Sequence, residues 1–403
     1  MKEYSVKADM IKMALVLGLL SWIGPFAIDM YLPAMPTISK DLGASVSAAQ
    51  WTLMSFFIAF GICQLFYGPA SDVFGRKPPL YFGLGIFGVA SIGCAFAPTI
   101  EWLIALRFLQ GMGAAAVMSI PRAVIRDRYT GTEATRMMST IMLVIAVSPM
   151  LAPLMGTSII VPFGWRAVFV AVAIATVLGL FLTSFALKET LAPADRAPFR
   201  FNAMMKAFGV LFRDSGYMGL TLIGGMGMAS FFAFLATASF LYTGYYGLTA
   251  FQFSLAFALN ALGFFTTSQI ASNLGVHFGS ITVVKWAVAG YAVSACLMFT
   301  LVALGYTSFP LLVGMLITTF AFLGLVIPTS MVLSLEEHGP IAGTAAALGG
   351  TLQMMLGAIA IAVVSVVFDG TPLMLTAAIA LCSLVAAGLS LLTLRGTPQE
   401  AVV

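Results

Sequence analysis

Residues 12–40 read KMALVLGLLSWIGPFAIDMYLPAMPTISK, and this stretch decides the fold. Between Lys12 and Lys40 lie 27 residues whose single charge is Asp29, with Pro33 and Pro36 close behind it. At about 1.5 Å per residue, a helix of that length exceeds the roughly 30 Å hydrocarbon core of a bilayer and crosses it with some tilt. The stretch therefore predicts one membrane-spanning helix with a carboxyl group well inside it. A carboxylate at such depth costs about 2.5 to 3.5 kcal/mol on insertion scales, which marks Asp29 as a functional position.

The rest of the chain shares this character. Its 403 residues are 61% hydrophobic and 8% charged, against about 25% charged in a water-soluble domain. The apolar runs are continuous and about 20 residues long, which selects helices over the alternating segments of about ten that build a membrane barrel. Twelve spans are predicted, near 12–36, 48–69, 79–97, 101–123, 137–160, 166–187, 217–241, 249–273, 281–304, 309–334, 342–367 and 372–394. One long polar connection, Lys188 to Gly216, carries Arg196, Arg200, Lys206 and Arg213 and divides the spans six and six. The expected organisation is an N-terminal bundle over 1–190, a linker over 191–215 and a C-terminal bundle over 216–403. Lysine and arginine collect on one side, at the N-terminus, Arg76, Lys77, Arg126, Arg128, Arg136 and the linker, so both termini are expected in the cytoplasm.

Composition also excludes. The net charge of +4 resides between spans and points to no nucleic-acid partner. Cys63, Cys94, Cys296 and Cys382 stand singly in apolar runs, and His277 and His338 fall in predicted loops far apart. No metal site, cofactor or catalytic constellation is expected, and the chain does not read as an enzyme.

Intramembrane charge is concentrated in the first six spans. Arg107 lies well within the fourth, with Gln110, Gly111, Ala114 and Met118 at helical spacing, so any ion coupling is expected there. The seventh and eighth spans offer instead Phe231, Phe232, Phe234, Phe240, Tyr242, Phe257, Asn260, Phe264, Phe265 and Gln269. An apolar pocket with a few polar groups suits an amphipathic small molecule. Trp22 and Phe26 share a helix face with Asp29, as an aromatic wall beside the carboxyl or as packing and lipid-facing residues.

Four motifs carry a resemblance. Gly68-Pro-Ala-Ser-Asp72-Val-Phe-Gly75-Arg76-Lys77 resembles the GxxxDxxGR(R/K) signature of the major facilitator superfamily, with Val73 where many relatives have a basic residue. Arg107-Phe-Leu-Gln110-Gly111 resembles the RxxxG motif of proton-coupled exporters in that superfamily. Asp29-Met-Tyr31-Leu-Pro33-Ala-Met-Pro36 is similar to the DMYLPxxP of its twelve-span drug:proton antiporters, in the bicyclomycin and chloramphenicol resistance branch. The run Ser148-Pro149-Met-Leu-Ala-Pro153-Leu-Met155-Gly156 is similar to that branch's antiporter motif, with Met155 and Thr157 where glycines are usual. Gly164-Trp165-Arg166, Glu189-Thr190-Leu191 and Gly343–Leu348 extend the likeness along nearly the whole chain.

The resemblance implies an all-α polytopic membrane protein of two six-helix bundles around a central cavity, in a bacterial inner membrane, with one chain per pore. It implies a proton-coupled multidrug exporter of amphipathic antibiotics such as amphenicols, driven by the proton gradient without a cofactor. Asp29 and Arg107 are the expected coupling pair. Trp22, Phe26, Tyr31, Gln110, Met118, Pro149, Pro153, Phe231, Phe234, Asn260 and Phe264 are the expected cavity residues. Gly68, Asp72, Gly75, Arg76, Lys77 and Asp127 are the expected conformational latch, with Gly68 allowing close helix approach, Asp72 facing a helix N-terminus of the other bundle, and Asp127 paired with Arg76. Export of a sugar or nucleoside is the alternative, disfavoured because the intramembrane polar residues are sparse.

Overall fold

In hydrocarbon every backbone N–H and C=O must find its partner within the same segment, so each long apolar run closes on itself as a helix. The computed structural model describes residues 2–196, 198 and 201–394. Among them are 12 helices long and apolar enough to cross a membrane: Lys12–Asp41, Val46–Phe74, Lys77–Ala95, Ile100–Arg128, Arg136–Phe163, Arg166–Ala186, Ser215–Tyr245, Ala250–Phe278, Ser280–Ala303, Phe309–Glu336, Gly339–Val367 and Pro372–Thr393. These are numbered as the first to twelfth spans.

The packing repeats with a period of six spans. The first span lies on the fourth, fifth and sixth, the second and third lie on the fourth, and the third lies on the sixth. The seventh lies on the tenth, eleventh and twelfth, the eighth and ninth on the tenth, and the ninth on the twelfth. Two six-helix bundles result, joined along the second span against the eleventh and the fifth against the eighth. The bonds across this seam run from the end bearing Lys40 to the middle. Gln50 Nε2 donates to the Ala236 carbonyl at 3.0 Å, Trp51 Nε1 to Ser365 Oγ at 3.0 Å, and Ser254 Oγ to the Pro153 carbonyl at 2.9 Å. Deeper in, Thr351 Oγ1 donates to the Gly61 carbonyl at 2.7 Å.

The first span departs from the single helix expected of it. Its α-helix runs Lys2–Asp29, gives way to a 3-10 turn at Leu32–Ala34, and resumes as Met35–Asp41. Pro33 explains the break, since its ring would collide with the carbonyl of Asp29 four residues back and it has no N–H to donate. The fifth span tolerates Pro149, Pro153 and Pro162 inside one continuous helix, Gly131–Phe163.

The polar connection also holds more structure than its composition suggested. Phe201–Arg213 is an α-helix that buries Ala207 and Leu211, four residues apart on one face, and leaves Phe201, Val210 and Phe212 exposed. Arg200 lies outside the described residues. His277, expected in a loop, is in the last turn of the eighth span, with Nδ1 2.8 Å from the Asn273 carbonyl.

Close helix approach is concentrated at a few glycines. A Cβ on Gly111 would overlap the Phe56 carbonyl, and one on Gly156 would overlap the Met30 carbonyl beside the break in the first span. Backbone cannot yield there as a flexible side chain can. Gly111→Val is expected to cost about 1–3 kcal/mol by overpacking the second and fourth spans. Thermal unfolding of the detergent-solubilised protein checks this, and an unchanged midpoint contradicts it.

Candidate functional site

Arg107 is fully enclosed within the fourth span. Its Nη1 donates to Gln110 Oε1 at 2.5 Å and to the Ala27 carbonyl at 3.3 Å, while Gln110 Nε2 donates to Ser91 Oγ at 2.8 Å. The guanidinium carbon lies 4.7 Å from the Tyr31 ring centroid and 4.5 Å from that of Phe56. Two aromatic faces thus supply electrostatic attraction worth about 2 kcal/mol or more when desolvated. Arg107 Nε and Nη2 have no hydrogen-bond partner among the described residues.

Asp29 occupies the last position of the helix Lys2–Asp29 and is 5% exposed. It does not pair with Arg107: no ion pair joins them among the described residues. Its Oδ2 instead accepts a hydrogen bond from Ser148 Oγ on the fifth span at 3.0 Å. The first span lies between the two partners, engaged through the Asp29 carboxyl on the fifth span and through the Ala27 carbonyl on the fourth.

The expected cavity residues divide into three groups. Tyr31, Gln110, Phe234 and Asn260 are fully buried, and so closed to a ligand in this conformation. The Tyr31 hydroxyl bonds Thr52 Oγ1 at 2.6 Å, and Asn260 Nδ2 donates to the Tyr242 hydroxyl at 2.8 Å. Pro153 is buried too, its carbonyl held by Ser254, while Pro149 and Met118 are half-buried. Phe231 and Phe264, also half-buried, stack with centroids 6.3 Å apart, and Phe231 meets Phe320 edge-on at 5.9 Å. Trp22 and Phe26, with centroids 3.8 Å apart, line a cleft of about 630 Å³ bounded by the fifth and sixth spans.

A second network gathers at the basic end. Arg76 holds Asp127 with two bonds, Nε to Oδ2 at 2.7 Å and Nη2 to Oδ1 at 2.9 Å, and gives Nη1 to Asp72 Oδ1 at 2.5 Å and Ser71 Oγ at 2.7 Å. Glu189 caps the start of the third span, accepting from the backbone N–H groups of Arg76 at 2.9 Å and Lys77 at 3.1 Å. Lys77 Nζ donates to the Leu187 carbonyl at 2.9 Å. Gly75 adopts φ +89°, where a side chain is strained, and a Cβ would press on Glu189 and Arg196. Two expectations are corrected. A Cβ on Gly68 would meet nothing within 4 Å, so it mediates no close approach here. The Asp72 side chain is 53% exposed and turned to Arg76 rather than to a helix N-terminus of the second bundle.

Burial alone would raise the Glu189 carboxyl, but four backbone N–H donors outweigh it and hold the group below its ordinary range. Burial would lower Arg76, and its bonds to Asp127 and Asp72 overcome that and raise it.

Ser148 was missed because the prolines that follow it dominate its motif. His338 was missed for a different reason. Its Nε2 lies 3.1 Å from Asp214 Oδ2, and Asp214 Oδ1 caps the seventh span through the N–H groups of Gly216 and Tyr217. No local pattern links these two positions.

The chain matches the model of the Major Facilitator Superfamily over residues 17–362. It is 31% identical over 348 residues to a bicyclomycin resistance protein homolog of Haemophilus influenzae, covering 86% of each chain. It is 29% identical over 371 residues to a chloramphenicol resistance protein of Pseudomonas aeruginosa, covering 89% of this chain and 86% of that one. The fold is similar to that of the xylose transporter XylE from E. coli in a partially occluded inward-open conformation, with TM-score 0.75, 12% identity, and coverage of 97% of this chain and 100% of that one.

Two outcomes follow from the basic-end network. Asp127→Asn is expected to cost about 2 kcal/mol, because it leaves the buried Arg76 fork short of its two-bond partner; a denaturant titration in micelles measures it. A carboxyl held low when folded contributes stability that is complete above its unfolded pKa of about 4.3 and is lost as pH falls through the folded value. The unfolding midpoint is therefore expected to drop below about pH 4.5, with Glu189→Gln flattening the fall. Parallel pH profiles for the two proteins would contradict this.

Proposed function

We propose that this chain, which belongs to the major facilitator superfamily on its drug-efflux branch, exports amphipathic antibiotics in exchange for protons. The observation that carries the reading is Asp29, an acid inside a membrane helix whose partner is a hydroxyl on a different span. Structural ion pairs do not need such an arrangement. A proton carrier does, because the group must be left free to take and lose its proton.

The fifth span supplies the connection to movement. Ser148 lies on the same helix as Pro153 and Thr157, which bond Ser254 across the seam. Five to nine residues separate them, about 8–14 Å along the helix. A hydrogen bond to an ionised carboxylate is about twice as strong as one between neutral groups. Loading or unloading Asp29 therefore changes the hold of the first span on the helix that closes the Lys40 end. With the basic end in the cytoplasm, as the lysine and arginine distribution favours, this conformation is shut to the outside. A proton arriving from outside and a drug arriving from inside then compete for opposite states, and the bundles rock about the cavity between them.

The half-buried Phe231 and Phe264 suit the apolar part of an amphenicol-like molecule. Few intramembrane amides and acids are available to satisfy sugar hydroxyls, which weighs against a sugar or nucleoside cargo. Arg107 acts as a fixed positive charge that sets the field around Asp29 and offers two nitrogens, Nε and Nη2, without partners among the described residues to an ionised acid or cargo in another state.

In inverted vesicles with an imposed proton gradient, Asp29→Asn is expected to abolish chloramphenicol-dependent proton movement while leaving drug binding measurable. Parental exchange in that variant would remove Asp29 from the mechanism. Arg107→Lys is expected to lose at least tenfold in exchange rate, because an ammonium cannot make the planar contacts with Tyr31 and Phe56.

A further inference from the structure

The cleft beside Trp22 and Phe26 is one half of a longer feature. A second cleft of about 820 Å³ runs between the first and fifth spans from Met10 and Arg136 to Leu151, and it shares Leu19 and Trp22 with the first. Together they form a trough along the first span from Met10 to Met30, about 30 Å in length. Its walls are apolar, and Leu15, Leu19, Leu143 and Met155 are exposed, so it opens sideways toward lipid rather than into the seam between the bundles.

We propose that this trough binds an anionic phospholipid of the leaflet at the basic end, with the head group on Arg136 and an acyl chain laid past Trp22. Charge decides the occupant. Arg136 is the first residue of the fifth span, it is exposed, and it lines the trough. Its side chain has no hydrogen bond or ion pair among the described residues, although Glu133 lies one turn away on the same helix. Exposed Lys12 stands at the same end of the first span. A site with cations at one end and hydrocarbon along the rest matches a phosphate on a long apolar tail, and it repels the head of a cationic drug. The occupant would also touch both helices joined by the bond from Ser148 to Asp29.

The chain has five tryptophans, so the share of fluorescence from Trp22 is taken as the difference between the parent and Trp22→Phe. The protein is reconstituted in phosphatidylcholine vesicles carrying a minor fraction of either phosphatidylglycerol or phosphatidylcholine brominated on the acyl chains. Brominated phosphatidylglycerol is expected to quench Trp22 with an apparent affinity about fivefold higher, the factor given by one basic side chain near a charged head group. Arg136→Gln is expected to remove the preference, Arg136→Lys to keep it, and Arg213→Gln, on the linker helix, to leave it unchanged. Equal quenching by the two lipids, or a preference that survives Arg136→Gln, overturns the proposal. Relief of quenching by tetraphenylphosphonium would assign the trough to transported drug and overturn it as well.

Discussion

A guanidinium cannot shed its charge inside a membrane as a carboxyl can, and the architecture of the first bundle follows from housing Arg107. Transferring that charge from water is paid back in parts: one carbonyl, one amide, and the faces of two rings. Each partner fixes a different element. Ala27 and Tyr31 belong to the first span, Phe56 to the second, and Ser91, which positions Gln110, to the third. Gly111 must lack a side chain for the Phe56 backbone to come near enough. One buried cation thereby ties four helices together, and neutral partners leave it uncompensated by any acid.

That absence gives Asp29 its freedom. Had the acid and the guanidinium met directly, the pair would be stabilised by contact, and each proton exchange would break a salt bridge in a medium of low dielectric. The break imposed by Pro33 places Asp29 instead at a helix end, facing a hydroxyl on the fifth span. A hydroxyl can donate to the ionised acid and accept from the neutral one, so both protonation states find a partner.

How much of this could be read from the sequence depends on the range of the interaction. Twelve spans and the intramembrane positions of Asp29 and Arg107 were legible because the bilayer demands about 20 apolar residues per crossing and penalises each exception, and the two-bundle architecture through the resemblance to the major facilitator superfamily. Family motifs identified Arg76 and Asp127, which the structure brings into a two-bond pair. Apart from Gln110, three residues along the same helix, the partners of Arg107 were not legible. Rings and carbonyls occur on every helix, and only packing selects Phe56 and Ala27. The same holds for Ser148 against Asp29 and for His338 against Asp214, where a common residue type acquires meaning from a distant helix. The linker helix went unread for another reason: Ala207, Phe208 and Leu211 follow helical spacing, but basic residues around them give the segment the composition of a loop.

The distribution of charge between and within bundles bears on how the molecule moves. Among the described residues, the ion pairs of Arg76 with Asp72 and Asp127 lie inside the first bundle, and the contact of His338 with Asp214 lies inside the second. The seam is held by neutral bonds from Gln50, Trp51, Ser254 and Thr351. Each such bond contributes only about 1 kcal/mol net, so no single one of them locks the seam. Moving a two-state equilibrium from 1:99 to 99:1 takes about 5.5 kcal/mol of differential binding. On the proposed exchange, a cargo and a proton together supply that. Ion pairs across the same seam would raise the requirement well beyond it, while confined within each bundle they keep the bundles rigid as the neutral contacts exchange.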